Sequence, residues 1–344
     1  MNTSFVKGKI EAAGTVVQQV STELVFKDFL GAVRVRWGIR RDDYRVTPGL
    51  YAVGSPDASS DVFVTSNYKL TFDHVRKNLA GLNGWILVLD TKGVNVWCAA
   101  GKGTFGTKEL VKSIQLVSLN VVVNHRRLIL PQLGATGVAA HKVKEETGFN
   151  VHYGPIRAAD IKEFVSNGYR ATTEMRKVTF KFTDRIKLIP NDFMYGKLYL
   201  IGAFALVFVI SYFGSRGNQS AYQLRNGFIA ILNIFLGYCA GIIITPALLP
   251  WLPGKRFSVK GFFAGALTAL IMFFLGTSGN NIYEIIAWFM MVSSISSFMA
   301  MNFTGSSTYT SLSGVKKEMK TAIPAQIVMA ALGIILLVIG KFLY

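Results

Sequence analysis

The chain changes its hydrophobic pattern near Lys197. Five apolar runs follow, over about 198–213, 228–251, 259–275, 282–301 and 321–342. Each comes near the roughly 20 residues that a helix needs to cross a bilayer. The pattern therefore predicts five transmembrane helices. Phe193–Tyr195 would extend the first, which is the shortest, and Thr245 and Pro246 would kink the second. Gly261, Ala264, Gly265 and Ala266 suit close helix contact in the third. Upstream, strand and helix patterns alternate. Val62–Thr65, Trp85–Leu89, Phe149–Tyr153 and Val178–Phe182 read as strands. Leu70–Leu79, Thr107–Leu116, Val138–Glu146 and Ala158–Val165 read as helices, with Val121–Val123 a further apolar run and Pro131 in a loop. Such alternation predicts a mainly parallel α/β sheet over residues 1–190, and an all-α membrane domain over 191–344.

Composition sharpens this division. The 344 residues are 51% hydrophobic and 16% charged, against about 25% charged in globular domains. Collagen-like, disordered and disulfide-rich classes are excluded. The net charge is +18. Residues 1–196 hold 27 Lys+Arg and 17 Asp+Glu, whereas 197–344 hold 10 and 2. A half so poor in acid, with basic loops, reads as membrane protein and excludes a nucleic-acid partner. Lys255, Arg256 and Lys260 in one loop, and Lys316, Lys317 and Lys320 in another, belong on the side of the basic N-terminal half. Gly276–Asn281 has no basic residue, and the first loop only Arg216 and Arg225. This places the N-terminal half in the cytoplasm and the C-terminus outside. Met1–Val20 lacks the apolar core of a signal peptide. Glu284 is the one acid within the runs, and polar groups near mid-membrane are sparse, so the membrane half reads as an anchor or docking platform rather than a transporter.

The chemistry concentrates between Val88 and Gly106. Cys98 and Cys239 are the two cysteines, one in the polar half and one in an apolar run, so neither a disulfide nor a cysteine-held iron–sulfur or zinc site is expected. A strand ends at Asp90, Thr91–Gly93 form a turn, and Asn95 suits the N-cap of a short helix closed by Gly101. Cys98 then stands at the carboxyl end of a strand, where ligands of such sheets bind. The ligand loops would be 66–69, 90–102, 124–135 and 154–157. Gly101, Gly103 and Gly106 match a dinucleotide fingerprint, but no strand directly precedes them and no acid lies near position 126. Val96 and Gly103 break a P-loop pattern. A lone cysteine is a core residue, a soft metal ligand, or a nucleophile needing a base from among His74, His125, His141 and His152. A helix N-terminus and nearby Lys102 both favour thiolate.

Asn95-Val-Trp-Cys-Ala-Ala-Gly-Lys102 closely resembles the cap-helix motif of the mercury-methylating corrinoid proteins, the HgcA family, relatives of the corrinoid iron–sulfur protein large subunit. Arg36-Trp-Gly38, Pro48–Gly54 and Leu130–Gly134 look similar too, and the resemblance extends over the whole chain. It implies a Rossmann-like corrinoid-binding domain, with its cap helix near 95–101, followed by five transmembrane helices. It further implies that Cys98 binds the cobalt of cobalamin or another corrinoid as lower axial ligand. Cofactor contacts would come from Thr65, Ser66, Asn67, Asn95, Val96, Trp97, Ala99, Ala100, Gly101, Lys102, Thr104, Leu133, Gly134, Ala135 and Gly154. The implied activity is methyl transfer to Hg(II), giving methylmercury. The implied partners are a ferredoxin-like protein, HgcB, with two 4Fe-4S clusters as reductant and Hg(II) donor, and a methylated pterin acting through a methyltransferase. No iron–sulfur cluster is expected in this chain. Arg126–Arg127 offers a basic pair to such a ferredoxin. The implied location is the cytoplasmic membrane. A corrinoid methyl carrier with another acceptor, a membrane metal-binding protein and a thiol enzyme stand as alternatives.

Overall fold

The computed structural model describes residues 5–214, 220–303 and 312–343. Arg216 lies outside the described residues. The chain divides into two compact units, Met1–Val178 and Thr179–Tyr344, ahead of the expected division at 190.

The first unit runs β1 (Val6–Ala12), β2 (Thr15–Val20), α1 (Phe26–Arg36), β3 (Gly49–Val53), β4 (Val62–Ser66), α2 (Lys69–Asn78), β5 (Gly84–Leu89), α3 (Val96–Lys102), α4 (Thr107–Leu116), α5 (Leu119–Val122), β6 (Arg127–Leu130), α6 (Ala140–Thr147), β7 (Asn150–Tyr153) and α7 (Ile161–Ser166). The strands form one sheet in the order β1-β2-β3-β5-β4-β6-β7. β5, β4, β6 and β7 are parallel, whereas β3 runs antiparallel to β5 and β1 antiparallel to β2. β2 is also parallel to β3, so the sheet is mixed but mainly parallel, as the alternating pattern predicts. Its added edge is a hairpin turned at Ala13 and Gly14, both at positive φ. Lys7, Lys9 and Glu11 alternate along β1, exposed, so no apolar run marks that strand.

β4 and β5 are buried on both faces, which is why their sequences read as continuous apolar runs. Alternate side chains feed two cores. Val62, Val64, Leu87, Leu89 and Leu130 meet α3, α4 and α6, while Phe63, Ile86, Val88 and Ile129 meet α2 and α7. Two expected elements change. Val121–Val123 belongs mostly to the short helix α5, and the strand that follows is Arg127–Leu130. Val178–Phe182 forms no strand: the chain leaves the sheet there, and Phe180 packs edge-on against Phe303 of the second unit, ring centroids 5.8 Å apart.

α1 is held by a buried ion network. Asp28 pairs with Lys69 at 2.6 Å and Arg76 at 2.7 Å, and Asp73 bridges the same two cations at 2.7 Å each. Arg76 also donates to the carbonyls of Ser21 and Glu23. Burial raises the pKa of Asp28, but the hydrogen bond and charge of Lys69, with Arg76, outweigh this and hold it below the ordinary value. Asp28 is therefore ionised when folded. It stabilises the fold above the unfolded carboxylate pKa of about 3.9, and this contribution is lost as pH falls through the lower folded value. Asp28→Asn leaves two buried cations under-compensated and should destabilise the protein by about 3–5 kcal/mol at neutral pH. Denaturant unfolding followed by the fluorescence of buried Trp85 checks this; the gap between wild type and variant should shrink in acid below about pH 4.

The second unit comprises α8 (Phe182–Ile186), α9 (Ile189–Tyr195), α10 (Lys197–Phe213), α11 (Ser220–Cys239), a π turn (Ala240–Ile244), α12 (Thr245–Ala247), α13 (Phe257–Phe274), α14 (Ile282–Asn302) and α15 (Leu312–Phe342). Among the described residues four helices are long and apolar enough to cross a membrane, or five if the bent pair ending in α10 counts as one span. That pair bends by 60°, so Phe193–Tyr195 does not extend α10 as a straight rod. Pro246 lacks a donor, and the wider turn just before it absorbs the mismatch, with Thr245 Oγ1 donating to the Ala240 carbonyl at 3.0 Å. The helix runs on from Ser220 to Ala247.

α13 and α14 meet through small residues. A Cβ on Gly261 would lie 2.5 Å from that of Ala300, and one on Gly265 2.7 Å from the Ser293 Cα. The close approach lets Ser296 Oγ donate to the Gly261 carbonyl and Ser297 Oγ to that of Ser258. Gln326 of α15 donates to Ser297 Oγ at 2.7 Å. Polar groups inside the bundle are thus more numerous than a count of charges suggests. Gly265→Leu should force these helices apart and destabilise the unit by at least about 1–3 kcal/mol. The expected result is a lower detergent-solubilised melting temperature; Phe263→Leu, at an exposed position of the same helix, should leave it unchanged.

Candidate cofactor site at the strand ends

Because β5, β4, β6 and β7 are parallel, their carboxyl ends lie along one edge of the sheet. The segments leaving that edge carry the residues singled out in the sequence. β4 ends in Thr65 and Ser66; β5 leads through a turn into α3; β6 leads into the 3-10 turn Gln132–Gly134; β7 leads to Gly154.

α3 forms as expected at its start. Asn95 is extended, and its side chain accepts the Cys98 N–H at 2.9 Å, capping the first turn. The end differs: Gly101 and Lys102 remain helical, and Gly103, at φ 81°, is the left-handed cap. The helix has two faces. Val96, Ala99 and Ala100 are buried in the core, whereas Trp97, Cys98, Gly101 and Lys102 are exposed. The alanines therefore do not open space for a flat ligand. A Cβ on Gly137 would lie 3.0 Å from the Ala100 Cα, so they admit the β6 loop against the helix. The open space lies over Gly101, where a Cβ would meet nothing within 4 Å.

The turn before α3 rests on Asn67. Its Oδ1 accepts from the Thr91 N–H at 3.1 Å and the Gly93 N–H at 2.9 Å, while Nδ2 donates to Asp90 at 3.1 Å. Asn67 thus acts as a brace of the turn. Thr91 Oγ1 in turn donates to the Val94 carbonyl at 2.6 Å. Burial raises the pKa of Asp90, but Lys92 and Asn67 outweigh it and hold the carboxylate below its ordinary value. Sequence reasoning passed over Asp90 and Thr91 as structural partners; an Asp-Thr-x-Gly turn after a buried strand is the signal that marks them.

Thr65 Oγ1 and Ser66 Oγ are buried at the end of β4 with no hydrogen-bond partner. Orphaned hydroxyls of this kind are rare in a finished core. They remain available to a polar ligand. Other candidates have structural work. A Cβ on Gly134 would strike the Phe105 ring at 2.6 Å, and one on Gly154 would lie 3.2 Å from Ile129. Thr104 Oγ1 turns back toward the Ala99 carbonyl at 3.5 Å. Leu133 and Ala135 are half-buried on the β6 loop. Gly103 and Gly106 close α3 and open α4, which accounts for the dinucleotide-like glycines.

Among the described residues no group of three His, Cys, Asp or Glu is placed to hold a metal ion, so Cys98 stands as a single thiol. His125 binds the Ser60 carbonyl at 2.9 Å, just ahead of β6 and so at the opposite edge of the sheet. Arg127 is engaged by Asp61 at 2.8 Å and stacks on Tyr169, so the Arg126–Arg127 pair is not a free basic patch.

Residues 34–165 match the family described as CO dehydrogenase/acetyl-CoA synthase delta subunit. The chain is 34% identical over 131 residues to the acetyl-CoA decarbonylase/synthase complex subunit gamma of Archaeoglobus fulgidus, covering 38% of this chain and 27% of that one. It is 33% identical over 127 residues to the same subunit of Methanopyrus kandleri, covering 36% and 27%. It is 31% identical over 122 residues to the corrinoid/iron-sulfur protein large subunit of Moorella thermoacetica, covering 35% and 27%. The chain thus spans about a quarter of the length of these relatives. The likenesses fall on the α/β unit and support its kinship with a corrinoid-binding family.

Asn67→Ala leaves the Gly93 amide without its acceptor, while the Thr91 amide keeps the Leu89 carbonyl at 3.1 Å, and should cost about 1–3 kcal/mol. The turn that carries α3 should loosen, seen as faster amide hydrogen exchange over residues 90–98. Asn95→Ala should cost only about 1 kcal/mol, confined to the helix.

Proposed function

We propose that the chain is a membrane-anchored corrinoid-dependent methyltransferase that passes a methyl group to Hg(II), as the likeness of its Asn95–Lys102 segment to the HgcA family implies. The observation that carries this reading is the exposed Cys98 thiol, on a capped helix at the rim of parallel strands, within a segment related to corrinoid proteins. The residues present fit a corrinoid. Cys98 would offer one soft ligand, Gly101 leaves room beside it, and the buried hydroxyls of Thr65 and Ser66 would meet a polar group such as the cofactor's nucleotide tail. When bound, the corrinoid supplies a cobalt that accepts a methyl group and passes it on.

The chain's own residues have separable tasks. Cys98 would hold the cobalt through its sulfur, and the corrinoid so held would supply the methyl transfer to Hg(II). Asn95 fixes the first turn of α3, and with it the direction of the Cys98 side chain. Asn67 fixes the turn that carries the helix. Trp97 and Lys102, exposed beside Cys98, border the bound ring. The apolar helices of the second unit anchor the protein in the cytoplasmic membrane with the corrinoid domain in the cytoplasm. The reductant and Hg(II) donor is a ferredoxin-like protein with two 4Fe-4S clusters, and the methyl group comes from a methylated pterin through a methyltransferase.

A second reading is favoured by the names of the relatives, which are subunits of acetyl-CoA decarbonylase/synthase complexes and a corrinoid/iron-sulfur protein. The chain would then be a corrinoid methyl carrier whose acceptor is not mercury. The visible spectrum of the full chain, reconstituted anaerobically with cobalamin in detergent, tests both. A cobalt–thiolate spectrum that Cys98→Ala abolishes, together with loss of methylmercury formation to background in the variant, is the expected result. A Cys98-dependent spectrum without mercury methylation by the wild type selects the carrier. Absence of bound cobalamin overturns both.

A further inference from the structure

α1 is built inside out. Its apolar residues Phe26, Phe29, Leu30 and Val33 follow the i, i+3, i+4, i+7 spacing of one helix face, and Trp37 continues it one turn on. Such a stripe ordinarily faces the core. Instead Phe26 is 78% exposed, Phe29 62% and Trp37 40%, while Asp28 on the other side is 2% exposed. The ion network fixes this orientation: Lys69 and Arg76 hold the Asp28 carboxylate inward, and Tyr44 packs so closely that a Cβ on Gly31 would lie 2.4 Å from its hydroxyl. The exposed stripe continues outside the helix through Leu24, Val25 and Ile39. Its rim is cationic, with Lys27, Arg34 and Arg40 exposed; acids appear only at its ends, at Glu23, Asp42 and Asp43.

We propose that this face of α1 docks on the anionic surface of a lipid bilayer. Aromatic and aliphatic side chains rimmed by lysine and arginine are what an interfacial helix presents, the apolar groups entering the acyl boundary and the cations meeting phosphate headgroups. The bilayer is favoured over a protein as the occupant because the same chain carries helices long and apolar enough to cross one. A tether of this kind keeps the membrane surface at high effective concentration, so a modest interfacial helix suffices. The inference rests on the reading that those helices span a membrane.

The test uses the full chain, with Cys98 and Cys239 replaced by alanine and Phe29→Cys carrying a nitroxide, in nanodiscs of phosphatidylcholine with or without phosphatidylglycerol. Power saturation then compares accessibility to oxygen, concentrated in lipid, and to a water-soluble nickel chelate. In anionic discs the label should become several-fold less accessible to nickel and more accessible to oxygen. A label at Lys144→Cys, exposed on α6, should not change. Combined Lys27→Glu, Arg34→Glu and Arg40→Glu should restore nickel access at position 29. Phe26→Cys should repeat the result at a second position. If the inserted protein leaves position 29 open to nickel in both lipids, the docking is wrong and the spanning reading stands. Protection from nickel and oxygen alike means that protein covers the face, which also overturns it. A chain that does not stay with the discs overturns both readings.

Discussion

The side-chain amide of Asn67 is the interaction on which the rest of the site depends. A strand that ends in the core leaves the following turn with buried N–H groups that have no sheet partner. Asn67, at the end of the neighbouring strand, supplies one oxygen to two of these donors, the Thr91 and Gly93 amides, and one N–H to Asp90. The brace runs between adjacent parallel strands, so it ties the two central carboxyl ends together. Once it is made, α3 leaves the sheet at a fixed place, Asn95 caps it, and Cys98 is carried to the rim.

The same economy explains the glycines around the site. Gly134 and Gly137 are demanded by Phe105 and Ala100, and Gly103 by its left-handed backbone. They set the distance between α3 and the β6 loop and leave Gly101 over open space. Residues that look like ligand contacts in a linear reading prove to be spacers. At the end of β4 the buried hydroxyls of Thr65 and Ser66, on successive positions of the strand, are left without partners. A buried hydroxyl without a partner is costly, and a polar ligand that reaches it relieves that cost.

In the second unit the constraint is close backbone approach between apolar helices. Gly261 and Gly265 bring α13 against α14, and the serines of α14 tie neighbouring backbones together. In α1 an opposite choice is made: two cations hold one carboxylate inside, and the apolar stripe is left at the surface.

By itself the sequence determined the two-part architecture, the buried strands β4 and β5, the apolar helices and the capped helix bearing Cys98. Each of these rests on local signals: run length, periodicity, an N-cap asparagine. Only the tertiary structure decided the rest. The hairpin strands β1 and β2 carry no apolar run, since one face or both meets water, and their pairing is fixed by the hairpin and a distant neighbour, β3. Val178–Phe182 has strand-like apolar residues but no partner strand, and Phe180 finds its contact in the second unit. Asn67 became a brace, and Ala99 and Ala100 became core, because parallel pairing set the β4 and β5 ends side by side. The exposure of the α1 stripe was hidden for the same reason: periodicity marks an apolar face but not its direction, which the distant residues Lys69 and Arg76 impose on Asp28.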